Sequence, residues 1–188
     1  MSIHPSIDWE QLARDVGALQ NGNKEIGSTF LAQMALEQLI GEQEWQAAVD
    51  HYVNIQPGAE LVRSVLWLVH PWAGMKRCDE IFRTSKDLDQ RRTAIELLRV
   101  VADKRVLPWI QEYLDDSDAG IQQWAAGIVD QLLWSELIAP EDCSVLLSEM
   151  ETHHNTAVQK TAEWIRSFLR DREDQINTNV ETNGNTEK

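Results

Sequence analysis

Hydrophobic residues recur at intervals of three and four along most of the chain, the spacing of one face of an α-helix. The clearest stretch follows Asp118, a residue type that caps helix N-termini. Its apolar positions are Ile121, Trp124, Ala125, Ile128, Val129 and Leu132. The pattern therefore predicts an all-α protein.

Turn-forming residues divide this pattern into separate helices. Asp8 and Ser28 are predicted N-caps, the first for a helix that runs to about Gln20. Further breaks are expected at residues 21–23, at residues 56–58, at Pro71, at residues 103–104 and at Pro140. Ten short helices with compact connections result, followed from residue 174 by a polar stretch without period. We expect residues 174–188 to form a disordered tail.

Small residues recur once per helix pair. Val65, Ala94, Ala125 and Ala162 fall in register at intervals of 29, 31 and 37 residues. A repeat of this length with two helices per unit indicates an α-solenoid, in which a small side chain lets neighbouring pairs pack closely. We expect one domain over residues 1–173, a short right-handed α-solenoid of about four to five helix pairs. A non-repetitive helical bundle is the alternative.

Residues 94–133 carry a family resemblance. Three features matter: the turn at residues 102–105, the helix start Val106-Leu107-Pro108, and the link Leu114-Asp115-Asp116-Ser117-Asp118. The stretch resembles HEAT-like repeats of the phycobilisome-lyase type and of short bacterial relatives; the similarity is weakest before residue 61. The resemblance implies a solenoid that binds macromolecules, and it leaves the partner open.

The charge distribution narrows the class of partner. The chain has a formal net charge of −14, and residues 106–157 contain ten acids and no lysine or arginine. Such a segment repels phosphate backbones, so it disfavours a nucleic-acid partner and favours a basic protein. An acidic surface kept only for solubility is the alternative. Residues 61–105 carry ten bases and six acids, and there we expect local ion pairs.

Catalytic and metal-binding patterns are missing from the sequence. There is no phosphate loop, nucleophile elbow or HExxH helix, and the five histidines are scattered. Cys78 and Cys143 have core spacing, and acids beside Cys143 raise a thiol pKa. Glu149 and His153 are best interpreted as a surface pair, with His153 and His154 pointing apart. We expect no enzyme activity, no cofactor and no metal.

The predicted contact surface combines acids with aromatic rings. If pairs stack, their second helices line one concave wall, where aromatic anchors inside an acidic field suit a cationic partner. The predicted partner-binding residues are Trp109, Glu112, Tyr113, Asp115, Asp116, Asp118, Glu141 and Glu151.

These features predict a non-enzymatic binding protein that sequesters or scaffolds a basic partner. Short acidic HEAT-like proteins resemble immunity proteins that neutralise bacterial toxins such as nucleases. A bilin lyase or pigment chaperone is the first alternative, and a general assembly adaptor is the second. The N-terminus lacks a signal-peptide pattern and no apolar run reaches about 20 residues, so we expect a cytoplasmic protein without a membrane span. The sequence leaves the oligomeric state open.

Overall fold

The computed structural model describes residues 7–20 and 24–184, with side chains described through Arg172. These residues form ten α-helices, two short 3₁₀ helices and one small hairpin, so the all-α prediction is confirmed. The chain divides into two compact units, residues 1–97 and 98–188, with the boundary inside one helix. The single-domain solenoid stays a prediction.

Unit 1 contains a hairpin and the first helices of the chain. The helices are α1 (Trp9–Asp15), α2 (Thr29–Ile40), α3 (Glu42–Val53), α4 (Ala59–Val69), α5 (Trp72–Thr84) and the start of α6 (Leu88–Val101). Strands β1 (Leu19–Gln20) and β2 (Lys24–Glu25) pair antiparallel, with Leu19 opposite Glu25. Helix α3 is central and packs against α2, α4 and α5. Trp45 and Val49 of α3, Leu66 of α4 and Met75 of α5 are buried and contribute to its core.

Unit 2 contains the end of α6 and four further α-helices. A 3₁₀ turn (Lys104–Val106) leads into α7 (Leu107–Leu114), α8 (Ala119–Trp134) follows, and a 3₁₀ turn (Pro140–Cys143) leads into α9 (Ser144–Glu151) and α10 (Thr156–Gly184). Helix α8 packs against both α7 and α10, and α9 packs against α10. Ile110, Ile128, Leu147 and Val158 are fully buried, one from each of the four helices.

Several predicted helix ends are confirmed by their caps. Asp8 accepts from the Gln11 backbone N–H at 3.0 Å, and Ser28 Oγ accepts from Leu31 N–H at 3.2 Å. Asp118 Oδ1 accepts from Ile121 N–H at 3.0 Å and begins α8. These side chains satisfy backbone donors that the first helical turn leaves without a partner.

The first predicted helix is too long. Helix α1 ends at Asp15, and residues 19–20 form a strand instead of the last helical turn. Gly17 has φ +79°, a left-handed conformation that ends a helix and that glycine adopts readily. The predicted break at residues 21–23 lies outside the described residues.

Two further predictions are wrong. Val65 is 40% exposed, whereas Ala94, Ala125 and Ala162 are fully buried, so the small-residue register fails in α4. There the buried positions are Leu66 and Val69. Residues 174–184 continue helix α10, where the polar composition predicts a disordered tail. Residues 185–188 of that tail lie outside the described residues.

Candidate partner-binding surface

Helix α7 is acidic on the side that faces away from the core. Ile110, Tyr113 and Leu114 are buried, and the opposite side exposes Glu112 and Asp115. The last turn of α7 contains no basic residue. Carboxylates at a helix C-terminus lie close to the negative end of the helix macrodipole, which disfavours negative charge. The acids of α7 therefore strengthen a negative field at some cost to helix stability.

Helix α9 has the same arrangement. Cys143, Leu147 and Met150 face inward, while Glu141, Val145 and Glu149 are exposed, at successive intervals of four residues. Val145 is 71% exposed between the two glutamates. The last turn of α9 also contains no basic residue. The outward side of α9 is therefore an aliphatic side chain flanked by carboxylates.

A buried polar network joins the C-terminal ends of these two helices. His153, which follows α9, has its Nε2 3.1 Å from the Leu114 carbonyl at the end of α7. The buried Gln122 donates to the Asp116 carbonyl at 2.6 Å and accepts from Asn155 Nδ2 at 2.9 Å. Since these bonds join the turn after α7 to the turn after α9, the acids in both last turns lie at one end of unit 2.

The two histidines serve this network. His154 Nε2 lies 3.2 Å from Gln122 Nε2, and His153 Nδ1 accepts from the Asn155 backbone N–H at 3.1 Å. Their ring centroids are 4.3 Å apart, so the prediction that the rings point apart is wrong. His153 thus contacts backbone groups of this network, and His154 contacts the Gln122 side chain.

The predicted contact residues differ in how far their side chains are exposed to solvent. Glu112, Asp115 and Glu141 are exposed, and Trp109 is half-buried. Tyr113 is fully buried, so its predicted role as a contact residue is wrong: it lies beside Ile110 and Leu114 on the inward side of α7.

The remaining three predicted residues have structural partners. Asp118 is the cap of α8, and Asp116 accepts from the Asp118 backbone N–H at 2.8 Å. Glu151 is exposed but pairs with Arg166 at 2.6 Å. A nearby guanidinium reduces the negative potential that a carboxylate projects. Glu112, Asp115, Glu141 and Glu149 are exposed acids on or next to α7 and α9. We call these four residues, with Trp109 and Val145, the α7–α9 surface.

Val145 and Glu149 are additions to the predicted set. Val145 is off the inward stripe of Cys143, Leu147 and Met150, which is a signal the sequence does contain. Another acid of the segment, Asp130, is half-buried: burial raises the pKa of its carboxyl, while nearby Arg99 opposes that shift. Asp130 is thus less suited than the exposed acids to present charge.

Several basic residues of unit 1 form the local ion pairs that the sequence predicts: Arg77 pairs with Glu80, Arg83 with Asp79 and Arg92 with Asp89. Lys76 and Arg77 also reach acids farther away in the sequence, Glu42 and Asp50, each at 2.8 Å. Asp87 accepts instead from backbone N–H groups at the start of α6. Cations engaged in this way give no support to the bilin-groove alternative.

The hollow beside Arg77 is polar but internally bonded. It has a volume of about 370 Å³ and is lined by Asp50, Asn54, Arg77 and Gln90, among others. Gln90 donates to Asn54 at 3.2 Å and accepts from Ser85 at 2.8 Å, and Arg77 is held by Asp50. These mutual bonds use the groups that a ligand would need.

Both cysteines lie in the core and are expected to be unreactive in the folded protein. Burial, together with Asp79, raises the pKa of the Cys78 thiol, and burial with Asp142 raises that of Cys143 to about 11. Because the thiolate is the reactive form, a thiol reagent at pH 8 should label the native chain at least about 100-fold more slowly than the unfolded chain. Absorbance of released thionitrobenzoate measures this. Rapid labelling of either thiol without unfolding would contradict the packing role.

Comparisons with known proteins found no matching family model, curated protein or solved structure. The HEAT-like resemblance therefore stays a prediction. Within residues 7–20 and 24–184, no helix is long and apolar enough to cross a membrane. Among the side chains described, which end at Arg172, no group of three or more histidine, cysteine or carboxylate side chains could hold a metal ion.

Proposed function

We propose that this chain is a non-enzymatic binding protein that holds a basic protein partner on its α7–α9 surface. The observation that carries the proposal is the position of its carboxylates. Glu112 and Glu149 lie in the last turns of two helices whose ends are bonded together, and Asp115 is the C-cap of the first helix; neither last turn contains a basic residue. Each acid is in an unfavourable helix position, and together they concentrate negative potential.

Placement that costs stability is characteristic of surfaces kept for binding. An acidic surface attracts cations and accelerates their encounter with the protein. The apolar contacts in this surface are Val145, exposed between Glu141 and Glu149, and the half-buried Trp109, three residues before Glu112. Apolar anchors within a charged surround are the usual source of affinity in protein interfaces.

The helix packing of unit 2 supports a HEAT-like arrangement, which we include in the proposal. Helix α8 contacts both the helix before it and α10, while α9 packs against α10. This alternation is expected when consecutive pairs stack with their first helices side by side. In that arrangement α7 and α9 are second helices, and their outward sides would belong to one wall.

The most specific form of the proposal is an immunity protein that neutralises a bacterial toxin such as a nuclease. A nuclease must present cations to phosphates, so a carboxylate surface would occupy the site that its substrate needs. Such a partner is reached in the cytoplasm, the location we propose. Nucleic acid itself would be repelled.

The test is charge reversal at the end of α7. We expect Glu112→Lys/Asp115→Lys to weaken binding of a purified basic ribonuclease at least about tenfold, measured by calorimetry at low and moderate salt. The same variant should melt at an equal or higher temperature, because lysines favour a helix C-terminus. If the variant loses binding while its Tm is unchanged or higher, then Glu112 and Asp115 contribute to binding and not to the stability of the fold.

The matched control is Glu25→Lys/Glu44→Lys, which has the same net charge as the α7 variant but changes two exposed acids of unit 1. This control should bind the ribonuclease as the wild type does. Equal losses in both variants would show that only total charge matters, and binding unaffected by reversal at α7 would refute the proposed surface.

A further inference from the structure

Helix α2 is apolar, yet none of its residues is buried. Eight of its twelve residues, Thr29 to Ile40, are hydrophobic, and all twelve side chains keep some exposure. An apolar helix in a folded protein normally buries a stripe of at least 100° against its neighbours. Leu36, Leu39 and Ile40 form instead an outward stripe, each about 40% exposed. Helix α2 therefore has contacts on its inner side and an uncovered apolar outer side.

Helix α4 has a second uncovered stripe. Leu61, Val65 and Leu68 lie at intervals of four and three residues, so they share one side of the helix, and all three are exposed. Leu66 and Val69 occupy its buried side. Helix α4 thus uses its inward side for the core of unit 1 and leaves a full apolar stripe outside.

The two helices adjoin. Gln33 of α2 donates its Nε2–H to the carbonyl of Leu68 at 2.7 Å. Since Gln33 is three residues before Leu36 and seven before Ile40, it shares their side of α2, so this bond places that side next to α4. We call these residues the α2–α4 face: Leu36, Leu39, Ile40, Leu61, Val65 and Leu68.

The exposed apolar area of the α2–α4 face is that of a weak protein interface. Its six side chains, all aliphatic, are 39–71% exposed. At about 150 Å² for each whole side chain, the lower end of the range for large rings, they expose about 450 Å² together. Two copies would bury about 900 Å², the size of weak, concentration-dependent contacts, and about 450 Å² is within the range for the largest apolar patch of a monomer.

The face is also nearly free of charge. Helices α2 and α4 contain only Glu37, Glu60 and Arg63 as charged residues. Glu37 turns inward and accepts from the Ala73 backbone N–H at 3.2 Å, and Arg63 lies 3.6–3.7 Å from Glu96 and Glu60. In a chain of net charge −14, this surface is one where like charge does not oppose contact between two copies.

We propose that the α2–α4 face is the contact between two copies of this chain in a symmetric homodimer. A two-fold contact places the same patch on itself, which requires a patch that is self-complementary in charge; a neutral apolar patch meets that requirement. A basic partner would find no exposed carboxylate stripe here, and the net negative charge of the chain disfavours an anionic membrane. The dimer goes beyond the proposed function and uses a different surface.

Sedimentation velocity of the full chain tests the proposal. From about 1 to 100 µM the wild type should shift from the 21.5-kDa mass toward twice that mass. Leu61→Glu/Leu68→Glu should remain monomeric over the same range, with a helical circular-dichroism spectrum. Leu36→Glu on α2 provides a second variant, so that misfolding of the first does not decide the result.

Trp164→Glu is the matched control, since Trp164 is 62% exposed, as Leu68 is, and belongs to unit 2. It should dimerise as the wild type does, and so should Glu112→Lys/Asp115→Lys. A wild type that is monomeric throughout, or folded α2 and α4 variants that still dimerise, would overturn the proposal. So would flotation of the wild type with phosphatidylcholine vesicles that the double variant abolishes, because the face would then bind lipid.

Discussion

Tyr113→Ala is expected to lower the free energy of unfolding by about 3–5 kcal/mol, as truncation of a fully buried aromatic ring usually does. Tyr113 is fully buried on the inner side of α7, between the positions of Ile110 and Leu114. The loss combines the transfer free energy of the ring with the cavity left behind. Urea denaturation followed by circular dichroism measures the change.

Trp109→Ala, on the same helix, is the comparison. Trp109 is half-buried, so we expect a loss of about 1–2 kcal/mol, smaller because less apolar surface returns to water. We expect the Trp109→Ala change to reduce the free energy of binding to the basic ribonuclease by more than it reduces the free energy of unfolding. If Tyr113→Ala folded with nearly wild-type stability while Trp109→Ala unfolded the protein, the assignment of the two rings to core and surface would be reversed.

These two rings show how far the sequence predicts the site. Charge is visible directly: the ten acids and absent cations of residues 106–157 predict an acidic surface, and Glu112, Asp115 and Glu141 are indeed exposed. The direction of an aromatic ring is less visible. Trp109 and Tyr113 are one helical turn apart, and a small rotation of the short helix α7 decides which of them meets the core.

Helix boundaries follow from local chemistry, so most of them are predictable. Asp8, Ser28 and Asp118 cap their helices through bonds that depend only on nearby residues. The hairpin at β1 and β2 was missed because Leu19 fits a helical stripe as well as a strand. The end of α10 was missed because polar composition predicts disorder even where a helix already begun can continue.

Burial in unit 1 is the least predictable property. Leu61, Val65 and Leu68 follow the spacing of a core-facing stripe, yet all three are exposed. Hydrophobic periodicity identifies the apolar side of a helix, but it does not show whether the core of the same chain or another molecule covers that side. In α4, Leu66 and Val69 are buried in the core of the unit. The exposed stripe is the one that we propose a second copy covers.

The polar network beneath the acidic surface links folding to function in unit 2. Gln122 is only 2% exposed and bonds to the turn after α7 and to the turn after α9. Gln122→Ala is expected to lower the free energy of unfolding by about 3 kcal/mol, because the Asp116 carbonyl and the Asn155 amide would lose a buried partner. Guanidinium denaturation at neutral pH measures the loss.

Gln123→Ala is the matched control: the neighbouring glutamine on the same helix is exposed, so its removal should change stability by less than about 0.5 kcal/mol. The network also has a positioning role that stability alone does not show. At a temperature where Gln122→Ala remains folded, the ends of α7 and α9 should exchange amide hydrogens faster, and ribonuclease binding should weaken as the two acidic turns separate. Unchanged binding by a folded Gln122→Ala would mean that each helix attracts the partner independently, without the shared end that the buried amide maintains.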